Sequence, residues 1–451
     1  MPYCKFFFSG EDIILDFSAK GEYIHSVEQG VRALKEKIIP YIRSAGVFIG
    51  AFGKWVGIAA VVGLIGGLIG SAFHLSVDYA TGLRNQNTWL LWLLPLAGLV
   101  IVWAYKFTGT EGKGTNAVIG SIHFGKDVPI LLVPVIFIST VLTHLCGGSA
   151  GREGAALQIG GGLGCNIGRL LKLSAKDEPL ATICGMSAVF SALLGTPVTA
   201  TVFALEVSSV GLFHYSGLVP CGTAALVAYG ITRLFGIAPA RFAVEIIAAE
   251  PGMFVRVALL AAACAIVSVI FCETMHLSER AAEKLLPNAY LRVLAGGALI
   301  IAMTFAVGSM EYNGAGMDII TRAVEQGQAR PFAFLLKILF TAVTLACGFK
   351  GGEVVPTFFI GATLGCVVGP LLGLPAGFSA AIGLSAMFCG AVNCPLATVL
   401  LSVELFGAAG LTYFAAASFI AYMLSGYSSL YVEQKIMYSK LKAEYINIHA
   451  K

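Results

Sequence analysis

The chain has 451 residues, 57% of them hydrophobic and 12% charged, with a mean hydropathy of +0.84. A water-soluble globular surface cannot be built from that composition, so the chain reads as a polytopic membrane protein. Its formal net charge of +4 is small for this length, and no basic cluster with interleaved aromatics points to nucleic acid.

Residues 1–45 mix both charge signs, and the short "KFFF" run lacks the apolar length and cleavage site of a signal peptide. This segment is expected to be a cytoplasmic lead-in. Arg32, Lys35, Lys37 and Arg43 precede the first long apolar run, and Lys435, Lys440 and Lys442 follow the last. The positive-inside rule then puts both termini in the cytoplasm and makes the number of full crossings even. Apolar runs of the ~20 residues needed to cross a bilayer recur from Val47 onward, among them Val56–Phe73, Trp89–Tyr105 and Phe254–Phe271. Others are too short, or too interrupted by Gly and Pro, to cross alone. The eleven cysteines lie mostly in apolar segments such as "VNCPL" and "LACGF", without C-x-x-C spacing. They read as small buried hydrophobes rather than disulfides or metal ligands.

Between the runs the chain repeats itself. "GKGTNAVIGSI" from Gly112 pairs with "GAGMDIITRA" from Gly314. "CGGSAGREGAALQIGGGLGCNIG", Cys146 to Gly168, pairs with "CGFKGGEVVPTFFIGATLGCVVG", Cys347 to Gly369, at one constant offset. "GMSAVFSALLGTPVTATVFALEV" from Gly185 pairs with "GLSAMFCGAVNCPLATVLLSVEL" from Gly383, aligning Pro197 with Pro395 and Glu206 with Glu404. Three blocks in one order with nearly one spacing imply two homologous halves. If each half crosses an odd number of times, both termini stay inside only when the halves are oppositely oriented. The expected organisation is a cytoplasmic segment 1–45, membrane repeat 1 over 46–245, membrane repeat 2 over 246–431 and a cytoplasmic tail 432–451. The expected fold is all-α, with two inverted-topology repeats whose broken helices meet at the midplane.

"GKGTNAV", "GREGAALQ" and "GGEVVPTF" each read as a loop-to-helix start, with Thr115, Glu153, Glu353 and Pro356 as first-turn residues. The first N–H groups of a helix have no partner within it, and the helix dipole adds positive potential there. Such an end holds an anion without a buried cation. Glycines also permit close helix packing, but both halves keep the loop while varying the helix that follows. No Gly-Lys-Ser/Thr follows the glycines, which excludes a phosphate-binding Walker loop. A carboxylate in this setting is costly, by ~2.5–3.5 kcal/mol on insertion scales, and Glu153 is therefore a functional candidate. Ionised, it occupies the anion site itself; protonated, it can leave, which couples anion occupancy to protons. The competing structural reading is a salt bridge to Arg152, which adjacent residues on a helix are poorly placed to make.

These motifs resemble those of the CLC family of chloride channels and anion/proton antiporters, over about residues 50–435. "GREGA" is similar to the family's G-[KR]-E-G-P, "GTNAV" stands in place of G-S-G-I-P, and "GGEVVP" in place of G-x-F-x-P. The resemblance implies that Glu153 is the external gating and proton-coupling glutamate, and that Gly151 and Arg152 belong to its loop at the anion site. It implies that Thr115, with Asn116, replaces the Ser-Gly pair whose serine coordinates the central anion. The backbone N–H groups of Glu353 and Val354 would complete that site. "SGYSSLYVEQ" resembles the segment with the coordinating tyrosine; aligning "SLY" with "PLY" selects Tyr431, with Tyr427 the competing candidate and a membrane-interface aromatic the bland alternative.

Departures refine the likeness. Val207 follows "FALE" where many chloride/proton antiporters carry an internal relay glutamate, Ala155 replaces the signature Pro, and Glu353 stands at an ordinarily apolar position. The family's fluoride/proton branch also lacks the relay glutamate, has Asn in the first loop and carries G-G-E-V-T-P, of which this chain has all but the Thr, replaced by Val355. The resemblance thus implies transport of small monovalent anions by a homodimer in the plasma (inner) membrane, needing no cofactor or metal, with fluoride and protons as partners and fluoride/proton antiport as the subtype. The alternatives are a chloride channel or chloride/proton antiporter and, remotely, a non-conducting membrane enzyme or scaffold. An enzyme would gather polar residues at one cavity, whereas the seven histidines are dispersed, and His144 on its apolar helix reads as structural.

Overall fold

A computed structural model describes the backbone of residues 5–8, 11–14, 20–125, 127–248 and 250–451, and side chains from residue 27 onward apart from 124. Within the expected lead-in, residues 1–4, 9–10 and 15–19 therefore lie outside the described residues. The chain divides into two compact units, Met1–Gly57 and Ile58–Lys451, the division falling inside the long helix α1 (Lys20–Gln86). The first unit opens with an antiparallel pair, β1 (Lys5–Phe8) and β2 (Glu11–Ile14), in register Lys5 to Ile14.

In the second unit, α1 is followed by α2 (Leu94–Phe107), α3 (Thr115–Phe124), α4 (Leu132–Leu145), α5 (Glu153–Leu170), α6 (Glu178–Leu194), α7 (Pro197–Glu206) and α8 (Leu218–Leu234). The second half answers with α9 (Pro251–Leu285), α10 (Ala289–Val307), α11 (Met317–Gln326), α12 (Ala333–Ala346), α13 (Val354–Leu371), α14 (Ala376–Val392), α15 (Pro395–Phe406) and α16 (Leu411–Leu424). The duplicated sequence becomes duplicated structure: α3 and α11 have 10 residues each, α4 and α12 have 14, α5 and α13 have 18, α6 and α14 have 17. Among the described residues six helices are long and apolar enough to cross a membrane, including α9, α10 and α13. The 10-residue helices rise only ~15 Å, half a hydrocarbon core, and so are too short to cross it alone.

The punctuation of each half follows from matched residues. α6 ends at Gly195 with φ +69° and α14 ends at the aligned Asn393 with φ +57°, the left-handed cap that these two residue types adopt most readily. Pro197 and Pro395 then open α7 and α15, where a missing N–H costs nothing. Small residues bring α5 onto α6 and α13 onto α14. A Cβ at Gly160 would overlap the Gly185 carbonyl and one at Gly361 the Gly383 carbonyl, so the same close approach is built twice. Aromatic rings join the halves, with Phe203 at 4.9 Å from Phe190 and 5.7 Å from Phe388 between centroids.

Besides β1 and β2, three more short strands among the described residues depart from the all-α expectation. β3 (Ser209–Val210) pairs in parallel with β4 (Lys435–Tyr438), which pairs antiparallel with β5 (Tyr445–His449). The expected tail 432–451 is thus a hairpin fastened to the segment after α7. Lys440, read from sequence as a flanking charge, donates instead to Asn393 Oδ1 at 2.5 Å and Tyr422 O at 2.7 Å.

The aligned glutamates are exchanged between halves. Glu206, at the end of α7, accepts from the N–H groups of Leu396 and Ala397 at 3.2 and 2.9 Å, at the start of α15. Glu404, in α15, accepts from the N–H groups of Val198 and Thr199 at 3.2 and 2.8 Å and from the Thr199 hydroxyl, at the start of α7. Each helix start is capped by the other half's carboxylate, which suits both the unpaired N–H groups and the dipole. Glu206→Ala and Glu404→Ala should each cost about 1–2 kcal/mol, read as a lower melting temperature in detergent, with the corresponding Gln variants closer to the unmodified chain.

Candidate functional site

Two connections of equal length lead into α5 and α13: residues 146–152 and 347–353, seven residues each. Neither is helical, so inside a membrane their backbone groups need partners from the protein. They find them across the repeat boundary. Gly148 O accepts from Gly314 N at 2.9 Å, Gly147 O from Asn313 Nδ2 at 2.7 Å, and Ser149 N donates to Thr344 Oγ1 at 3.0 Å. At the centre Gly151 and Gly352 form an isolated antiparallel bridge, Gly151 N to Gly352 O at 2.6 Å and Gly352 N to Gly151 O at 2.7 Å. The Gly151 N–H, expected among the anion's contacts, is therefore committed to the other repeat's loop. A Cβ at Gly352 would overlap the Gly154 N, which is why this crossing requires glycine.

Glu153 is the first residue of α5 and is 1% exposed. Its Oε2 accepts from the Arg152 N–H at 3.0 Å, so the carboxylate itself sits on a helix-start donor, while its Oε1 has no hydrogen-bond partner. The guanidinium of Arg152 does approach Glu153, with Nε 3.7 Å from Oε1, but its short contact is Nη1 to Asp78 Oδ1 at 2.6 Å. Arg152 precedes the helix as its cap, so the helical geometry that would turn neighbours apart does not bind it. His74 supports this arrangement, donating Nδ1–H to Leu193 O at 3.2 Å and lying 3.0 Å from Asp78 Oδ2 through Nε2.

Two cavities flank the paired loops. One, of 560 Å³, is lined by residues including Arg152, Val355, Asp78, Arg84 and His144. The other, of 210 Å³, gathers Thr115, Asn116, Gln158, Glu353 and Tyr431. Arg152 opens on the first cavity and Glu353 on the second, so the starts of α5 and α13 form the wall between them. Thr115, the first residue of α3, accepts from Gln158 Nε2 at 3.1 Å and donates its O–H to Gly154 O at 3.4 Å. Asn116 Oδ1 accepts from Glu433 N at 3.4 Å. Glu353 caps α13, and its own N–H and that of Val354 belong to the first turn, which has no intrahelical acceptors. Three further atoms here are buried without hydrogen-bond partners: Glu353 Oε2, Gln158 Oε1 and Tyr431 Oη. Tyr427, the competing tyrosine, is elsewhere, its hydroxyl 3.0 Å from Ser439 Oγ.

Residues 96–426 match the family model described as voltage gated chloride channel. The chain is 37% identical over 396 residues to a "Chloride/fluoride channel protein" of Pseudomonas syringae pv. tomato, covering 86% of this chain and 87% of that one. The chain belongs to the voltage-gated chloride channel family. It is also 26% identical over 380 residues to the H(+)/Cl(-) exchange transporter ClcA of Yersinia pestis, covering 77% of this chain and 79% of that one. Among solved structures it is similar to a CLC-type fluoride/proton antiporter, with a TM-score of 0.82, 28% identity and coverage of 85% of this chain and 98% of that one. A slow cyanobacterial Cl−/H+ antiporter, at 18% identity and a TM-score of 0.72 over 82% of this chain and 94% of that one, shares the fold. The chain is a multi-pass membrane protein whose function is CLC-type anion transport.

Sequence reasoning missed several residues of this family site. Gln158 and Asp78 touch the predicted residues directly, yet lie 43 and 74 positions from Thr115 and Arg152. The histidine read as structural, His144, is half satisfied: Nδ1 donates to Thr140 O at 2.9 Å and Nε2 is buried without a partner. Thr115 yields the clearest expectation. On the reading of Thr115 as an anion contact, its O–H would turn from the distant Gly154 O, 3.4 Å away, to an anion in the smaller cavity. Thr115→Val keeps the shape and removes that donor; a charged hydrogen bond is worth about 1.5–3 kcal/mol, so calorimetry should record anion affinity at least about tenfold weaker.

Proposed function

We propose that this chain is a fluoride/proton antiporter of the plasma membrane, working as a homodimer with one anion path in each subunit, and that it performs transport rather than enzymatic chemistry. The observation that supports this reading is the pair of carboxylates at the two facing helix starts, buried Glu153 and half-buried Glu353, each with one buried oxygen lacking a hydrogen-bond partner. The likeness to a CLC-type fluoride/proton antiporter supports the choice of anion. The family likeness supports the dimer.

Ionised Glu153 rests on the Arg152 N–H and blocks the path between the cavities. An anion held by Thr115, Tyr431 and the N–H groups of Glu353 and Val354 competes with it for the same positive helix ends. Protonation makes Glu153 neutral, frees it from that competition and loads the proton that will move against the anion. Glu353 takes the part of the relay glutamate absent at Val207. In its protonated form it donates to fluoride, a far stronger acceptor than chloride, and in its ionised form it accepts the proton from Glu153. Arg152 and Asp78 hold the loop on the side of the larger cavity.

A second reading, a chloride channel or chloride/proton antiporter, draws support from Val355, which stands where the fluoride branch has Thr and lines the larger cavity. One experiment separates the readings: anion efflux from liposomes with simultaneous pH recording. Fluoride should drive proton movement in the opposite direction in the unmodified chain. Glu153→Gln should abolish that coupling, because a permanently neutral amide neither carries a proton nor competes as an anion. Glu353→Gln should reduce coupled fluoride transport in a folded, dimeric protein, and Glu353→Ala should reduce it further. Chloride moving faster than fluoride, with both Glu353 variants unaffected, would sink the fluoride reading in favour of the chloride one.

A further inference from the structure

We infer that Gln434 is a positioning residue for anion transport: it anchors the turn that presents the Tyr431 hydroxyl to the smaller cavity. The inference rests on the reading of Tyr431 as an anion contact.

Gln434 is fully buried and every hydrogen-bonding position of its amide that the surroundings can reach is filled. Nε2 donates to Val207 O at 2.9 Å and to Val392 O at 2.8 Å. Oε1 accepts from Asn393 Nδ2 at 3.2 Å and from Ser429 Oγ at 2.9 Å. Val207 follows α7 in the first repeat, and Val392 ends α14 in the second. One amide thereby ties the segment after α16 to both repeats, at the ends of α7 and α14.

The same amide governs the backbone of the turn before it. Ser429 Oγ, which donates to Gln434 Oε1, accepts from Tyr431 N at 3.1 Å. Gln434 N donates to Tyr431 O at 3.0 Å, and Leu430 N donates to Ala391 O at 3.0 Å. The Gln434 side chain thus reaches the Tyr431 N–H through Ser429, while the main-chain N–H of Gln434 holds the Tyr431 carbonyl. Behind them Asn393 donates to Ser428 O at 3.0 Å and accepts from Lys440, so the hairpin backs the turn as well. β4 begins immediately after Gln434, and Ala450 N donates to Gln434 O at 2.9 Å.

Against this satisfied network the Tyr431 hydroxyl stands out, because it is buried and has no partner. Its free O–H faces the cavity shared with Thr115, Gln158 and Glu353. A donor aimed by rigid backbone contacts reaches a desolvated anion without reorganising, which is the condition under which such a hydrogen bond counts most. Loosening the turn would leave the phenol present but misaimed.

The test is the half-saturating anion concentration for efflux from liposomes, with fluoride and chloride each used as the probe, in the full chain carrying Tyr431→Phe, Gln434→Met or Ser429→Ala, singly and in combination with Tyr431→Phe. Tyr431→Phe should raise the half-saturating concentration by about tenfold, and Gln434→Met or Ser429→Ala by at least about threefold. In the Tyr431→Phe background neither should raise it further, because the hydroxyl through which they act is gone. Any loss of melting temperature should be the same in both backgrounds, which sets the positioning effect apart from stability. Ser429→Ala removes a single buried hydroxyl and carries the test should Gln434→Met not fold. Equal increases in both backgrounds, or an effective Tyr431→Phe beside ineffective Gln434 and Ser429 variants, would overturn the inference while leaving Tyr431 as an anion contact. An ineffective Tyr431→Phe would instead remove the tyrosine from the path, and the role of Gln434 with it.

Discussion

Gly151 and Gly352 exchange two backbone hydrogen bonds, and the depth at which they do so makes that exchange the constraint around which the molecule is arranged. An unpaired backbone group costs several kcal/mol in hydrocarbon, so non-helical chain persists there only where protein supplies partners. Local bonds and side chains satisfy part of each seven-residue connection, as at Gly148 and Ser149, but not the glycines at the crossing. Each becomes tolerable by pairing with the other, which requires both halves of the chain and a residue without a side chain at the crossing. The pairing sets the starts of α5 and α13 side by side, so that two positive helix ends face one small region. An anion site is then a consequence of satisfying the backbone and not an addition to it.

The two halves use their likeness and their differences for separate ends. Matched residues build symmetrical structure: Pro197 and Pro395 open helices, Gly160 and Gly361 admit close neighbours, and Glu206 and Glu404 cap one another's helices. The acidic residues of the site are not matched in this way. In the register that pairs Cys146 with Cys347, Glu153 falls opposite Val354 and Glu353 opposite Arg152. Each repeat places one carboxylate at its helix start, but one residue apart, so that Glu153 is inside α5 while Glu353 caps α13. A symmetrical pair would have presented two equivalent like charges at one point. The offset gives them different neighbours, Arg152 for one and the smaller cavity for the other.

How much of this was legible in the sequence depended on whether the signal was local or spread along the chain. The duplication, the loop-to-helix starts and Glu153 were readable because glycines, prolines and one costly carboxylate lie within short blocks that occur twice. "SLY" pointed to Tyr431 over Tyr427, and the structure places Tyr431 at the cavity with Thr115. The exchanged caps of Glu206 and Glu404 were visible only as aligned letters, since nothing in a linear chain says that each reaches the opposite half. Asp78, Gln158 and Gln434 carry no periodic signature; a single amide or carboxylate in an apolar run acquires meaning from partners far away in sequence. The hairpin had a signal that was overlooked: "YINIH" alternates apolar and polar residues with the period of a strand, beside lysines that were read only as a topological flank.

Several positive side chains near the paired loops are already committed, although Lys113 also lines the smaller cavity. Arg152 is held by Asp78 and Glu153, Lys350 lies 4.8 Å over the Tyr105 ring, and Lys337 is buried with its ammonium on the carbonyls of Tyr312 and Gly314. At the helix starts themselves an anion would be met by N–H and O–H groups, whose partial charges hold one negative charge comfortably and a second poorly. Ionised Glu153 already supplies that charge. For an anion to enter, the carboxylate must either leave the helix ends or lose its charge, and losing it means taking up a proton. On the proposed reading of Glu153 as the gate, the link between anion and proton would follow from the backbone and hydroxyl donors that the paired glycine loops provide.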